Sequence, residues 1–367
     1  MTQKKSRLLN PTFSSFAPGR VELLGNHTDY NAGVVLSAAI DLGIEAKGLR
    51  RDDDEIVLIS DGARMTADSR QLAPTGQWID YPLGVVKKLQ EAGHPLGGFE
   101  VKYSGTLPIG AGLSSSAALE VSTAVLLRRI FALEIPALDL AKLCRRAENE
   151  FVGVNCGLLD QASSVFGKKD HVIHLDCRHE TVATIPLPAG VGLLIIDSGV
   201  KHALTGGEYN ERRAQCFSAA EILGVPALRD VTSAELAAAT MPELTRRRAA
   251  HVVGEIERVI AAEQFLQAGD VAEFGRLMSA SHQSSRENFE NSTPELDALV
   301  EIACRQNGVH GARLTGGGFG GAIVALVDLT AIEATAHTVV AAYRKETGHE
   351  GTAYPCRIGD GALPGND

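Results

Sequence analysis

A run of glycines and serines that opens directly into an apolar helix is the feature that most constrains this chain. The run comprises Gly110, Ala111, Gly112, Leu113, Ser114, Ser115 and Ser116, and residues 117–126 continue it with helical spacing. Free N–H groups and the dipole at a helix start bind phosphate oxygens, and glycine lets the backbone approach an anion closely. A phosphate loop and a simple capped helix are both consistent with this pattern.

Two familiar nucleotide motifs do not fit the chain. The loop at 110–116 lacks the Lys of a Walker motif, and the protein-kinase motifs are absent. Gly316, Gly318 and Gly321 match the dinucleotide-binding fingerprint as a string. That fingerprint must open a helix, whereas the apolar run 322–327 that follows is typical of a strand. The sequence therefore predicts no Rossmann site here.

The order of the periodic segments favours an α+β fold. Helices are predicted over 78–92, from about 115 onward, and over 137–152, 208–223, 249–266, 271–280, 294–306 and 330–346. Strands are predicted over 34–36, 55–59, 99–103, 171–176, 191–197, 322–327 and 352–357. The two types do not alternate regularly, which argues against a doubly wound sheet. A boundary within 178–190 divides the chain into predicted domains 1–185 and 186–367.

Composition and charge exclude several classes of protein. The chain has 367 residues, 44% of them hydrophobic, and a formal net charge of −10. This predicts a two-domain globular protein that does not bind nucleic acid, since nucleic-acid binders usually carry a basic face. The only arginine triplet, at 246–248, lies among glutamates and reads as a solvated helix face.

Cysteine spacing and hydropathy predict a soluble cytoplasmic protein. The six cysteines form no C-x-x-C pair and no zinc-like cluster, which is typical of reduced, mostly buried thiols. The first residues are basic but lack the apolar run of a signal peptide, and no stretch of 18 apolar residues exists. We therefore expect no membrane association.

A polar cluster near the start of the chain suggests a hydroxyl-rich ligand. The segment RVELLGNHTDY places Arg20, Asn26, His27, Asp29 and Tyr30 in a short, loop-rich stretch. Asp accepts hydrogen bonds from hydroxyls, while Asn and His can both donate and accept. A polar turn after a strand explains the same residues, so the segment by itself leaves both interpretations open.

Three segments together resemble the motifs of the GHMP kinases. They are FAPGRVELLGNHTDYNAG, LPIGAGLSSSAALE and GARLTGGGFGGAIVAL. The sequence HTDYN, with NCGLLDQASSVFG and VKHALTGGEYNERRAQC, is similar to the galactokinases in particular, and the resemblance extends over residues 13–358. It implies an α+β architecture of two domains. The N-terminal one resembles domain 2 of ribosomal protein S5, the C-terminal one is ferredoxin-like, and the active site lies between them.

The resemblance also implies a reaction and its participants. A galactokinase transfers the γ-phosphoryl group of ATP to the C1 hydroxyl of galactose, with Mg²⁺ as cofactor. The implied partners are a hexose and ATP, with no nucleic acid or membrane, and we expect a monomer. A kinase for a C6-modified galactose such as galacturonate, and a catalytically silent galactose sensor, are the alternatives.

Site residues follow from the resemblance position by position. Asp160 corresponds to the catalytic aspartate and Arg20 to the arginine beside it. Ser116 and Glu148 correspond to magnesium ligands, and Trp78 to a residue beside the adenine. The remaining implied contacts are His27, Asp29, Gly157 and Tyr209 for the sugar, and Gly316 to Gly318, with Gly317 at the centre, for the third loop.

Asn26 departs from the family pattern, in which Glu usually contacts the C6 hydroxyl. Asn is shorter and neutral, and it can donate as well as accept hydrogen bonds. Three outcomes are open: galactose remains the substrate, a 6-deoxy sugar is tolerated, or a C6 carboxylate is accepted because the repelling charge is absent. A neutral change without effect on specificity is also open.

Overall fold

The computed structural model describes residues 11–108, 112–201 and 205–363. The strands in this part of the chain are β1 Phe13–Leu24, β2 Val34–Arg50, β3 Glu55–Ser60, β4 Ala63–Asp68, β5 Phe99–Gly105, β6 His171–Asp176, β7 Thr181–Pro186, β8 Val191–Lys201, β9 Val309–Leu314, β10 Gly320–Asp328 and β11 Thr352–Cys356. The α-helices are α1 Asp80–Glu91, α2 Ser115–Ile130, α3 Ala137–Ala147, α4 Leu159–Phe166, α5 Thr205–Leu223, α6 Ser233–Ala238, α7 Glu243–Ala268, α8 Val271–Ser284, α9 Pro294–Cys304 and α10 Ile332–Thr347.

The N-terminal half is built around the long strand β2. This strand pairs antiparallel with β1, with β5 over residues 44–50 and with β6 over residues 34–37. Strands β4 and β3 extend the sheet beyond β5, and β7 extends it beyond β6. Helices α1 to α4 pack their apolar residues against this sheet in one hydrophobic cluster, which positions the starts of α2 and α4 near β1.

The C-terminal sheet has the order β11-β8-β10-β9, and all its pairs are antiparallel. With helices between β8 and β9 and between β10 and β11, this is the βαββαβ order of a ferredoxin-like fold. Residues alternate along β8 and β10, so that one face packs on α9 and α10 and the other on α5, α7 and α8. The ferredoxin-like half that the resemblance implied is present.

One hydrophobic core joins the two halves of the molecule. Val21 and Leu23 of β1 belong to the same buried cluster as Val324 and Leu326 of β10. The last described residues also return to the N-terminal sheet, where the Gly359 N–H donates to the Ala39 carbonyl. The division at 185 and 186 falls at the end of β7, and we keep it as a proposal.

The periodic segments were predicted well, and the polar or short ones were not. All the predicted helices and strands are present, but the strand predicted over 34–36 continues to Arg50 as β2, and the helix predicted over 249–266 begins earlier, at Glu243. Strands β1, β4, β7 and β9 and helices α4 and α6 were missed, because their apolar pattern is short or interrupted. In particular, residues 20–24 were expected in a loop-rich segment but form the end of β1, and β7 lies inside the expected boundary segment.

The arginine triplet at the start of α7 is not the solvated face that the sequence indicated. Arg248 is only 2% exposed and bonds the Asn288 carbonyl and the Glu290 carboxylate. Arg247 binds the carbonyl of Glu287 and the carboxylate of Glu290. Arg247 and Arg248 therefore hold the end of the π-helical turn Ser285–Phe289, whereas Arg246 donates to the carbonyls of Leu236 and Ala239.

The helices and the cysteines bear on two predictions about the chain as a whole. Among the described residues, no helix combines the length and the apolar character needed to cross a bilayer. The six cysteines are unpaired thiols: Cys144, Cys216 and Cys356 are buried, Cys156 and Cys177 are half-buried, and Cys304 is exposed. The expectation of mostly buried thiols therefore holds only in part.

Candidate active site

A cavity of about 540 Å³ lies between the two halves of the molecule. Its walls come from the end of β1, the loop that follows it, the segment before α4, the start of α5 and the loop between β9 and β10. Of the residues predicted to bind sugar or catalyse, the lining includes Arg20, Asn26, His27, Asp29, Gly157, Asp160, Tyr209 and Gly317. The fold therefore gathers residues from five separate segments into one site.

Asp160 and Arg20 form a bidentate pair at this cavity. Asp160 lies in the first turn of α4, and Arg20 lies on β1 with its side chain almost entirely buried. Arg20 Nε donates to Asp160 Oδ1 at 2.8 Å, and Nη2 donates to Oδ2 at 2.9 Å. Such planar, charge-assisted pairs hold a carboxylate in one orientation. The third guanidinium nitrogen, Nη1, donates to the Gly112 carbonyl at 2.7 Å.

The described end of the glycine–serine loop lies against the same carboxylate. Ser114 precedes α2 with a left-handed φ of 57°, and its Oγ donates to Asp160 Oδ2 at 2.5 Å. Gly112 also has a positive φ, of 72°, which favours glycine there. Gly110 and Ala111 lie outside the described residues. The start of α2, and with it Ser115 and Ser116, is thereby placed beside Asp160.

Glu148 and Ser116, the two predicted magnesium ligands, bring a carboxylate and a hydroxyl near this point. Glu148 begins a π-helical turn after α3 and is 5% exposed. Burial raises its pKa, and the negative charge of Asp160 raises it further, whereas a hydrogen bond to Ser116 lowers it. Carboxylate and hydroxyl oxygens are the donors that Mg²⁺ prefers, and a cation would relieve the repulsion between the two carboxylates. These residues fit the cation, although no cluster of three His, Cys, Asp or Glu side chains suits a metal in the described ranges.

The loop after β1 is held by hydrogen bonds to its backbone. The N–H groups of Gly25 and Asn26 both donate to Glu255 Oε2 of α7, each at 2.8 Å. Thr28 Oγ1 donates to the carbonyls of Gly25 and Val34. A residue of the C-terminal half thus determines where this N-terminal loop lies.

His27 is a neutral, doubly bonded residue of this loop. Its Nε2 lies 3.0 Å from the Gly317 carbonyl, and its Nδ1 lies 2.8 Å from the Tyr30 hydroxyl. Because a carbonyl can only accept, Nε2 carries the proton and Nδ1 accepts from Tyr30. Burial lowers the pKa of His27 to about 4. A direct hydrogen bond from a ring nitrogen to a sugar would have to replace one of these.

Asp29 and Gly157 meet at one wall of the cavity. A Cβ on Gly157 would lie 2.4 Å from Asp29 Oδ2, a distance that no side chain tolerates. Glycine at 157 therefore allows the Asp29 carboxylate to take its place. Burial raises the pKa of Asp29, and the charge of Asp160 adds to this. The Tyr209 ring closes the site on another side, with its centroid 5.0 Å from that of His27.

The glycine loop between β9 and β10 presents carbonyls to the site. The carbonyl of Gly316 accepts from Asn26 at 2.8 Å, and that of Gly317 accepts from Asn291 at 3.1 Å. Gly318 has a φ of 83°, and a Cβ there would lie 2.2 Å from the Asn291 carbonyl oxygen. The string that resembled a dinucleotide fingerprint is thus the turn of a β-hairpin, as its context indicated.

Trp78 stands apart from these residues. It precedes α1, packs on the core of the N-terminal half and meets the Tyr103 ring edge-on at 5.9 Å. It does not line the cavity that contains Asp160. Its place beside the adenine remains a prediction.

Sequence reasoning missed four buried polar residues around the cavity, namely Glu22, Glu255, Asn291 and Arg313. Glu22 is two residues from Arg20 on β1, so the period of a strand could have placed the two on one face. The other three come from distant parts of the chain. No local pattern relates them to the segment near the N-terminus.

The fold and the motif loops define the class of protein. The family description "GHMP kinases N terminal domain" matches residues 80–168, and "GHMP kinases C terminal" matches residues 261–345. A third family, "Galactokinase galactose-binding signature", matches residues 6–46. The fold is also shared with the mevalonate kinase of Methanococcus jannaschii, at a TM-score of 0.68 and 21% identity over 97% of this chain and all of that one.

Curated relatives narrow this class. The galactokinase of Roseiflexus sp. (strain RS-1) is 42% identical over 94% of this chain and 91% of its own length. The galactokinase of Glaesserella parasuis serovar 5 (strain SH0165) is 42% identical over 94% of this chain and 93% of its own length. The structure of Lactococcus lactis galactokinase complexed with galactose has a TM-score of 0.90 and 34% identity, covering 95% of this chain and 94% of that one. The chain belongs to the galactokinase family of the GHMP kinases, which are ATP-dependent enzymes.

Proposed function

We propose that this chain transfers the γ-phosphoryl group of ATP to the C1 hydroxyl of galactose. One observation carries the proposal: the Asp160 carboxylate receives hydrogen bonds from both Arg20 and Ser114. This carboxylate lies beside the start of α2, and the proximity supports a role as acceptor of a hydroxyl proton next to bound phosphate. The curated relatives named galactokinase, and the relative solved with galactose, support the choice of sugar.

Asp160 would orient the C1 hydroxyl and accept its proton. Arg20 holds both carboxylate oxygens, so the acceptor is preorganised, and its positive charge also lies where charge develops on the transferring group. Phosphoryl transfer depends mainly on positioning and electrostatics, which is consistent with this small set of groups.

The loop 110–116 and the start of α2 would hold the phosphates of ATP. We propose Ser116 and Glu148 as the residues that hold Mg²⁺, and Trp78 as a neighbour of the adenine. When bound, Mg²⁺ would neutralise phosphate charge that the acidic protein itself cannot offset. The like-charge effect of Asp160 on Glu148 supports a cation at this position.

The sugar would lie in the cavity against Asp29, Gly157 and Tyr209. The Asp29 carboxylate can accept hydrogen bonds from two hydroxyls, and glycine at 157 leaves it room to do so. His27 contributes through its ring and through the position it gives to Gly317. Neither a silent sensor nor a galacturonate kinase gains support, since the catalytic pair is complete and the cavity contains carboxylates.

A coupled assay of ADP release with a panel of hexoses tests the proposal. Galactose should give turnover with ATP and Mg²⁺, and phosphorus NMR should identify a phosphate on C1. Glucose and galacturonate should be poor substrates. ADP release that does not depend on galactose, or a phosphate on another carbon, would contradict the assignment.

We further propose that the enzyme acts as a cytoplasmic monomer on ATP and free galactose. Six unpaired cysteines fit a reducing compartment. Sedimentation at micromolar concentration should give a single species of about the chain mass.

A further inference from the structure

The side-chain amide of Asn26 is hydrogen-bonded to other protein groups. Its Nδ2 donates to Glu22 Oε1 at 2.9 Å and to the Gly316 carbonyl at 2.8 Å, and its Oδ1 accepts from Asn291 Nδ2 at 2.9 Å. The residue is 1% exposed. An amide has two donor hydrogens, and both are used. Asn26 therefore has no free donor to offer a sugar hydroxyl.

Glu22 is the neighbouring carboxylate, and one of its two oxygens accepts the side-chain hydrogen bonds. Its Oε1 accepts from Asn26 and from Arg313 Nη2, the latter at 3.1 Å. Its Oε2 accepts no hydrogen bond from any residue in the described ranges. Glu22 is 6% exposed, and it is one of the residues that line the cavity. Oε2 is not fully buried, so it is the acceptor that this carboxylate presents to the cavity.

The position of Glu22 determines which part of a sugar it can reach. Arg20 and Glu22 pair with consecutive odd positions of β2, Ala39 and Ser37, so their side chains share one face of β1. Two residues along a strand span about 7 Å. Arg20 marks the reacting end of the cavity because it holds Asp160. Glu22 therefore lies farther from the transferred phosphoryl group than Arg20 does.

We propose that Glu22, and not Asn26, provides the carboxylate that binds a sugar hydroxyl remote from C1, with Asn26 as the residue that positions it. The inference rests on the proposed function, since it assumes a hexose with C1 at Asp160. Glu22 thereby becomes a specificity-determining residue of the same cavity. It also retains a negative charge there although Asn26 is neutral, so a C6 carboxylate on the sugar remains disfavoured.

The charges around Glu22 are consistent with an ionised acceptor. Burial raises its pKa to about 6, against the lowering effects of Arg313, Asn26 and Arg20. It is therefore mainly ionised at neutral pH. Arg313 is itself fully buried and lies 3.8 Å from Glu255, so the carboxylate belongs to a fixed network. Such a network holds the free oxygen in place before a ligand arrives.

Steady-state kinetics of Glu22→Gln test this inference against a purely structural role. The variant should raise KM for galactose about ten- to a hundredfold, the usual range for a hydrogen bond to a charged group, with kcat changed far less. With 4-deoxygalactose or 6-deoxygalactose, whichever lacks the bound hydroxyl, wild type and variant should have the same kcat/KM. With 2-deoxygalactose the difference should persist.

The control is Glu100→Gln, a strand carboxylate 3.8 Å from an arginine but outside the cavity. This variant should have the same kcat and KM as the wild type with every sugar. An unchanged KM in Glu22→Gln, or an equal loss for galactose and all the deoxy sugars, would overturn the inference. If Glu22→Gln does not fold, a crystal structure of the wild type with galactose decides: no sugar hydroxyl within hydrogen-bond distance of Glu22 Oε2 would also overturn it.

The result that contradicts the proposed function differs from the result that contradicts the role of Glu22. Wild-type enzyme that does not phosphorylate galactose contradicts the function itself. Calorimetric binding of galactose without ATP then compares wild type and Glu22→Gln independently of turnover, and an equal dissociation constant rejects the role of Glu22. Normal wild-type turnover with an unaffected variant rejects the Glu22 inference alone.

Discussion

At the scale of single residues, the site depends on polar groups that the fold has buried and paired. Arg20 is 7% exposed, yet its three guanidinium nitrogens all have acceptors. Removing one member of such a group leaves the rest unsatisfied, which costs more than the lost contact. Substitutions that keep shape and hydrogen-bonding capacity are therefore the informative ones.

Replacing Asp160 with Asn should lower kcat about a hundred- to ten-thousandfold. The amide keeps the size of the side chain but removes the proton acceptor, and general bases contribute rate factors of this order. ATP affinity should stay within a few fold. Asp297→Asn is the matched control, since Asp297 also lies in the first turn of a helix, α9, and bonds Ser292 away from the cavity. Near-normal turnover in Asp160→Asn would remove Asp160 from catalysis.

Replacing Gly157 with Ala should raise KM for galactose at least about tenfold. The added Cβ, 2.4 Å from Asp29 Oδ2, would displace a carboxylate that lines the cavity proposed to bind the sugar. A misplacement of about 1 Å can cost a hundredfold in an active site. Gly97→Ala serves as the control, because its nearest atom would lie 3.7 Å away. Equal kinetics for the two variants would exclude the role given to Asp29.

At the scale of elements, the long helix α7 of the C-terminal half contacts the N-terminal loop that follows β1. Glu255, near its middle, is fully buried and accepts from the backbone of Gly25 and Asn26. Burial alone would raise its pKa, but Arg258 and Arg313 hold the pKa well below its usual range. Stabilisation by Glu255 is therefore present above the usual Glu pKa and is lost only as the pH falls below it.

Glu255→Gln should lower the free energy of unfolding by about 3 kcal/mol, because it removes the carboxylate partner of the half-buried Arg258 and one of the two carboxylates beside the buried Arg313. Urea unfolding at pH 7.5 measures the loss. Glu257→Gln on the same helix provides the control, since that carboxylate is exposed and its hydrogen bonds are to Ser233. A change as small as that of the control would show that the buried pair contributes little.

At the scale of the whole molecule, two histidines are buried without charge. Burial lowers the pKa of His27 to about 4 and that of His251 to about 3. Around His251, Glu255 favours the charged form, while Arg258, His27 and Arg313 oppose it. Below about pH 6.5 the unfolded chain therefore binds protons at these histidines that the folded protein excludes. Their contribution to stability decreases as the pH is lowered.

The two histidines should together lower the free energy of unfolding by about 2 kcal/mol between pH 7 and pH 5.5. Glu22, Asp29, Glu120 and Glu148 act in the opposite direction, because burial raises their pKa values and their protonation favours the folded state on acidification. The histidine contribution is therefore measured as a difference between the wild type and a variant. His251→Gln, which can still bond Ser284, should remove roughly 1 kcal/mol of this loss. Urea titrations at the two pH values measure both quantities. If the change in the free energy of unfolding between the two pH values is the same in His251→Gln as in the wild type, His251 does not contribute to it.

The sequence by itself determined what contiguous residues encode. It predicted the helices with strong periodicity, the helix start at Ser115 and the rejection of a Rossmann site at Gly316, because these depend on local spacing. It also placed Arg20 and Asp160 in one site through the family motifs. Strand β1 was missed over residues 20–24, since polar residues interrupt the apolar pattern that identifies a strand.

Only the tertiary structure decided which groups at the site are free. Asn26 was the expected point of variation, but its hydrogen bonds reach Gly316 and Asn291, more than 260 positions along the chain, and leave the open carboxylate oxygen on Glu22. Glu255 and Arg313 complete the network from other elements. A hydrogen bond depends on distance and direction in space, and one-dimensional spacing carries neither once the chain has folded back on itself.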